Sequence, residues 1–276
     1  MAALTGTGIW SAELRFGEPG AVAEAAAELE SWGYTAVWIP DARGDLFGAL
    51  DRLRAATSTL TVASGILNIW RQTADATNAW WAGLSPAERD RTLIGLGVSH
   101  GPLIGDEWRR PLTAMGAFLD DLDVPADRRC LAALGPRMLA LARDRSAGAH
   151  PYLVTPEHTA RAREVLGPEA LLAPEQGVVL ETGPAAARGI AREAIAGYTN
   201  LPNYVNNWKR LGYTDDDVSG LSDRLVDALV AWGDVDAIAA RVAEHRAAGA
   251  DHVCLQVLLA PGGPLPRGAW KALAGI

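Results

Sequence analysis

The residues best placed to do chemistry are the polar ones that end apolar, strand-like runs: Ser11, Asp41, Asn68, Ser99 with His100, Gly135, Thr155 and Glu181. Two acids and one histidine are among them, and the histidine suits proton transfer because an imidazole titrates near neutral pH. Other chemistries lack their residues. Of the 25 basic residues only Lys209 and Lys271 are lysine, and neither ends a strand, so no Schiff-base nucleophile is offered. His100, His150, His158, His245 and His252 make no H-x-H or H-E-x-x-H pair, so no metal site is expected, and the G-x-S-x-G nucleophile elbow is missing. The run "LAALGPRMLALAR" (131–143) passes from strand into helix through Gly135-Pro136 with no Ser or Asp cap. Such a start turns free N–H groups and the positive end of the helix dipole toward an anion, phosphate being the natural guest. Proline's ordinary preference for the first helical turn accounts for the same residues without a ligand.

Stepping along the chain, short apolar runs alternate with helix-period runs. Strands are predicted at 7–10, 36–40, 61–69, 93–99, 130–134, 151–154, 177–181 and 252–259. The segment "PGAVAEAAAELESWG" between the first two has a 3.6-residue apolar period and ends on Gly33. Near-continuous apolar strands joined by helices imply a parallel sheet covered on its outer face. Eight such units in one domain of residues 1–276 predict an α/β fold, a (β/α)8 TIM barrel with an extended helical crossover from 182 to 251. A doubly wound open sheet is the alternative, but its Gly-rich dinucleotide turn is missing after the first strand. In "GLGVSHG" the third glycine is misplaced for that motif; Gly95 and Gly97 read instead as small positions where a ligand or the core packs close.

The crossover holds "GYTNLPNYVNNWKRLGY", broken by Pro202 and dense in Asn and aromatics. Tyr152, Asn203, Tyr204, Asn206 and Asn207 are pocket or lid candidates, and a helix–helix turn or a subunit interface fits the crossover equally. Trp10 and Trp70, at the ends of the first and third strands, would supply flat apolar walls to a substrate. A net charge of -8 argues against a nucleic-acid or anionic-membrane surface. The start "MAALTGTGIWSAEL" lacks the charged and apolar regions of a signal peptide, and no apolar run is long enough for a membrane span, so a cytoplasmic protein is expected. Cys130 and Cys254 lie in apolar runs and read as buried structural thiols.

The segments "AAELESWGYTAVWIPDARGD", "TVASGILNIW", "LIGLGVSHGP" and "LAALGPRMLALARDRSAGAHPYLVTPEHTARAREVLGPEALLAPEQGVVLET" together resemble the luciferase-like oxidoreductases, in particular the group described as probable F420-dependent oxidoreductases. The resemblance implies a barrel that binds the deazaflavin coenzyme F420 or flavin mononucleotide (FMN) and passes hydride to or from a small organic substrate. It makes Gly135, Pro136 and Arg137 the coenzyme's phosphate-binding turn. It sets a non-proline cis peptide under the ring near Gly65-Ile66, beside Asn68, where a β-bulge at Gly65 fits the same residues. It brings Asp41 to the ring, and with Gly97 it makes Ser99 and His100 ring contacts, His100 and Asp41 being the proton-transfer candidates. Relatives are commonly homodimers. A sugar-phosphate dehydrogenase of the family carries His, Trp and Glu where this chain has Ala42, Asp45 and Pro102, so that activity is not expected. The alternatives are an FMN monooxygenase fed by a separate reductase, and a barrel that binds a ligand without turnover.

Overall fold

The computed structural model describes residues 4–259 except 106, 107 and 109, and residues 263–276. Its strands are β1 (Gly6–Trp10), β2 (Ala36–Ile39), β3 (Thr61–Asn68), β4 (Thr92–Gly97), β5 (Arg129–Leu131), β6 (Gly148–Ala149), β7 (Leu171–Leu172), β8 (Glu175–Val179), β9 (Val230–Trp232) and β10 (His252–Val257). All pair in parallel, in the order β7-β6-β5-β4-β3-β2-β1-β10-β8-β9. The sheet closes through residues 171–179. On one edge Leu171, Ala173 and Glu175 donate to the carbonyls of Ala147, Ala149 and Pro151; on the other, Asp251, Cys254 and Leu258 donate to Leu172, Pro174 and Val178. The run is split into β7 and β8 at Pro174, which has no N–H to give the ladder. Counting it once, eight staves form the barrel, with β9 added beside β8.

Helix signals in the sequence hold where a cap was present. The helix Pro19–Ser31 begins on the Glu18 carboxylate, which accepts the N–H groups of Gly20 and Ala21, and the chain leaves it through Gly33 at φ +89. Thr155 caps Pro156–Leu166 and Asp234 caps Val235–Ala247 in the same way. Three strand assignments need correction. Residues 151–154 are not a strand: β6 ends at Ala149, and Leu153 turns to φ +55 so that its N–H meets the Glu175 carboxylate. The strand expected at 177–181 starts earlier, at Glu175. The crossover, expected as an extended helical segment, also holds the strand β9 between the helices Asp223–Leu229 and Val235–Ala247.

Alternation along the staves separates two apolar layers. Val37, Ile39, Val62, Ile94 and Leu131 face the helices, with Leu29, Leu50, Leu53 and Ile238 packed on them. Ala36, Trp38, Ala63, Leu93, Cys130 and Cys254 fill the barrel itself. Burial pushes both thiols' pKa up, which makes them inert core groups. The crossover has a core of its own, built on Leu201, Tyr204, Trp208, Leu225 and Leu229. Among the described residues no helix is long and apolar enough to cross a membrane.

Candidate active site

At the carboxyl ends of the staves the inward positions are very unequal in size. β3, β4 and the end of β5 offer Gly65, Gly97 and Ala132, whereas β1 offers Trp10 and the segment after β6 offers Tyr152; all five line one cavity of about 470 Å³. The glycines are there for a steric reason. A Cβ on Gly65 would lie 2.7 Å from Trp10 Nε1 and 3.2 Å from Trp38 Cβ; one on Gly97 would lie 2.5 Å from Ile66 Cδ1. Trp10 Nε1 donates to the Gly65 carbonyl at 2.7 Å. The Gly65–Ile66 peptide is cis, and the register of β3 on β4 shifts between Ser64 and Leu67, so the cis bond and the irregular ladder occur together. Gly65, Gly97 and Ala132 thus line the cavity as a strip of small residues, with the Trp10 indole and the Ile66 side chain packed against the two glycines.

Asp41, just past β2, ties that strip in place: its N–H donates to Ile66 O at 3.1 Å, and its Oδ2 accepts the N–H of Asn68 at 3.2 Å. Its Oδ1 is buried without a hydrogen bond, with Arg71 Nε 3.8 Å away on a partly exposed side chain. Burial raises the pKa of this carboxyl, against the lowering pull of the Asn68 N–H, Gln72, Arg71 and Arg15. Ser99 stands in the left-handed region at φ +52 and delivers His100 to the rim. His100 Nδ1 lies 3.1 Å from Asn203 Oδ1, an arrangement that puts the ring proton on Nδ1 and leaves Nε2 as a base. Burial lowers the His100 pKa, partly offset by Asn203.

The other side of the cavity belongs to the crossover. In the helix Pro202–Arg210, Tyr204, Asn207 and Trp208 are buried at the i, i+3, i+4 spacing of one helical face. Asn203 and Tyr204 line the cavity, as does Tyr198 from the turn Ala196–Asn200. Asn206 is exposed and lines nothing here. Trp70, expected as a substrate wall, also lies off the cavity: its Nε1 donates to Val98 O at 2.7 Å, and Trp108 uses the same carbonyl at 2.9 Å. Both rings brace the loop after β4. Sequence reading missed Tyr198, Ala132 and His150. His150 stacks on Trp38 (centroids 4.2 Å, 12°) and gives its Nδ1 proton to Ala173 O, and burial takes its pKa down to about 4. A lone histidine in an apolar run carries no sign of such a position.

Gly135, Pro136 and Arg137 do not line the cavity; they continue its rim through Leu134, which does. Gly135 heads the helix Pro136–Arg145 with no side-chain cap. Arg210 Nη2 would be 3.9 Å from a Cβ there, and Arg161 holds the Arg210 carbonyl at 2.7 Å. Asn207 donates nothing from its buried Nδ2. An uncapped helix start thus lies beside the Arg210 guanidinium, which is 3.4 Å from Asn207 Oδ1, a setting that fits a phosphate.

No protein-family model and no curated protein matches this sequence. Solved structures do match. An F420-dependent secondary alcohol dehydrogenase bound to an F420–acetone adduct is 12% identical, with 92% of this chain and 93% of that one covered and a TM-score of 0.72. The coenzyme F420-dependent tetrahydromethanopterin reductase of Methanopyrus kandleri is 17% identical over 99% and 98%, also with a TM-score of 0.72. The chain shares the α/β barrel fold of these enzymes. The FMN-bound oxygenating constituent of 3,6-diketocamphane monooxygenase from Pseudomonas putida shares it at 14% identity over 99% and 97%, TM-score 0.67. In this barrel the cavity described above occupies the carboxyl end of the staves, where barrels of this architecture keep their chemistry.

Proposed function

We propose that the protein is an F420-dependent oxidoreductase that passes hydride between the deazaflavin and a small organic substrate. The observation that carries the reading is the unequal lining of one cavity: small residues at Gly65, Gly97 and Ala132, with Trp10 packed on Gly65, and aromatic rings at Tyr152, Tyr198 and Tyr204. A planar ring system suits such a lining, because the glycines let the Trp10 indole and the Ile66 side chain lie close to the backbone and leave the cavity open beside them. The uncapped start at Gly135, with Arg137 and Arg210, suits the phosphate of the same coenzyme. When bound, the deazaflavin supplies the hydride donor or acceptor. The chain supplies the rest. Asn68 and Asp41 hold the strip, Ser99 turns the chain toward the ring, and the crossover shields the cavity from water. Asn203 fixes the His100 ring so that Nε2 can take a proton from a substrate hydroxyl, or return it to a carbonyl.

FMN is the second reading, favoured by the same strip, which accepts any flat tricycle, and by the FMN complex of a monooxygenase with this fold. Titration with each coenzyme, followed by absorbance, separates the two. Isotope exchange between reduced coenzyme and trial alcohols or ketones then tests turnover. Tight F420 binding with exchange is expected; binding without exchange would make the protein a ligand-binding barrel, and no binding of either coenzyme would end the redox reading.

A further inference from the structure

The aromatic side of the cavity is a built surface with a specific chemistry. Tyr198 and Tyr204 meet edge to face at 4.9 Å and 83°, Tyr152 lies 5.6 Å from Tyr198, and Trp10 lies 5.5 Å from Tyr152. Two of the three phenol protons are spent. Tyr198 donates to the Tyr152 hydroxyl at 3.3 Å, and Tyr152 donates to Gln256 Oε1 at 2.8 Å. The third is not: Tyr204 is 6% exposed, lines the cavity, and its hydroxyl has no hydrogen bond among the described residues. Opening on the cavity, that hydroxyl is free to hydrogen-bond a ligand there.

Charge is missing from the same surface. The acidic group behind the tyrosines is Glu175, 1% exposed, with Oε2 on the Leu153 N–H. Burial pushes its pKa up to about 8, which favours the neutral form at pH 7. The charged side chains that line the cavity are Asp41 and Arg71, both toward β2 and β3, 3.8 Å from each other. An ammonium ion would find rings without a charged carboxylate behind them, and a carboxylate would find no cation.

We propose that this wall is the substrate subsite and that it takes an uncharged ring compound bearing one carbonyl or hydroxyl oxygen, which the Tyr204 hydroxyl hydrogen-bonds. The assignment rests on the redox reading for which side of the cavity is left to substrate; the binding claim itself does not need turnover.

The test is a ligand-observed NMR titration of the full chain with acetophenone, toluene, benzoate and benzyltrimethylammonium, with and without saturating coenzyme, on wild type and Tyr204→Phe. Acetophenone is expected to bind more tightly than either ion, with or without coenzyme. Tyr204→Phe is expected to weaken acetophenone about fivefold, the size of one net hydrogen bond, and to leave toluene unchanged. Equal acetophenone affinity in the variant, tighter binding of either ion, or displacement of acetophenone by coenzyme would overturn the proposal. Retained toluene binding shows that the variant has folded; if it is lost, saturation transfer from tyrosine ring protons to acetophenone in the wild type decides, and its absence overturns the proposal. Failure of both coenzymes to bind, with the acetophenone result intact, would remove the redox reading and leave this subsite standing.

Discussion

The strip at Gly65, Gly97 and Ala132 and the wall of Trp10, Tyr152, Tyr198 and Tyr204 line one cavity and meet where Trp10 donates to the Gly65 carbonyl, yet they are made in opposite ways. The strip belongs to three neighbouring staves, where a side chain would collide with Trp10, Trp38 or Ile66, so its shape is set by the barrel's own packing. The wall draws on β1, the chain after β6 and two elements of the crossover, which has a separate apolar core. A rigid surface built by the barrel suits what every turnover shares, the coenzyme. A surface borrowed from an insertion suits what differs between relatives, the substrate.

Removing the proposed proton-transfer residue at the rim, after β4, should cost the most. His100→Ala is expected to slow hydride exchange 10²- to 10⁴-fold, the usual contribution of a general base, while coenzyme affinity stays within a few-fold of wild type. Steady-state rates with parallel coenzyme titration check both halves. Breaking the strip should do the reverse. Gly97→Val forces Ile66 into the cavity, and coenzyme affinity is expected to fall about 100-fold, equivalent to ~3 kcal/mol. A normal affinity in that variant would mean that the ring lies elsewhere.

The phosphate end is open to a smaller perturbation. Gly135→Asp sets a carboxylate against the anion, and Arg210→Ala removes a guanidinium beside it; each should weaken coenzyme binding about tenfold, the Arg210→Ala loss shrinking at high salt. The mildest test concerns the scaffold that both surfaces share. His150 and His158 are pulled down to about 4, His245 and His252 to about 3, all by burial. As pH falls below the ordinary histidine value of 6.5, the unfolded chain takes up protons that the folded chain refuses, so their stabilisation is whole above 6.5 and lost toward 4. Glu175, raised to about 8, acts oppositely, losing its stabilisation as pH rises from 4.5 to 8. Four groups outweigh one. Thermal melts by circular dichroism should show Tm lower at pH 5 than at pH 7, and an unchanged Tm would contradict the burial of these histidines.

Much of the strip was legible in the sequence because its signals are local. Glycine in an apolar run, an acid closing "WIPD" and a bare Gly-Pro start each imply a backbone demand at the position itself. The wall was legible only in part. Tyr152, Asn203 and Tyr204 could be suspected, but Tyr198 shares its place through a turn between helices, and Trp70 looks as suitable as Trp10 until Val98 claims its indole N–H. The strand at 230–232 was hidden for a similar reason. Three residues between two helices have no period to read, and their pairing to β8 comes from far along the chain. Pro174 disguised a stave for the opposite reason, by interrupting a pattern that the barrel nevertheless completes.

The central claim is that the strip holds a flat coenzyme ring. Absorbance titration of F420 and FMN into wild type and Gly97→Val tests it most directly. The account predicts saturable binding of F420 to the wild type, with Kd on the order of micromolar, and a loss of about 100-fold in the variant. Equal binding of the coenzyme to both proteins, or to neither, would contradict it.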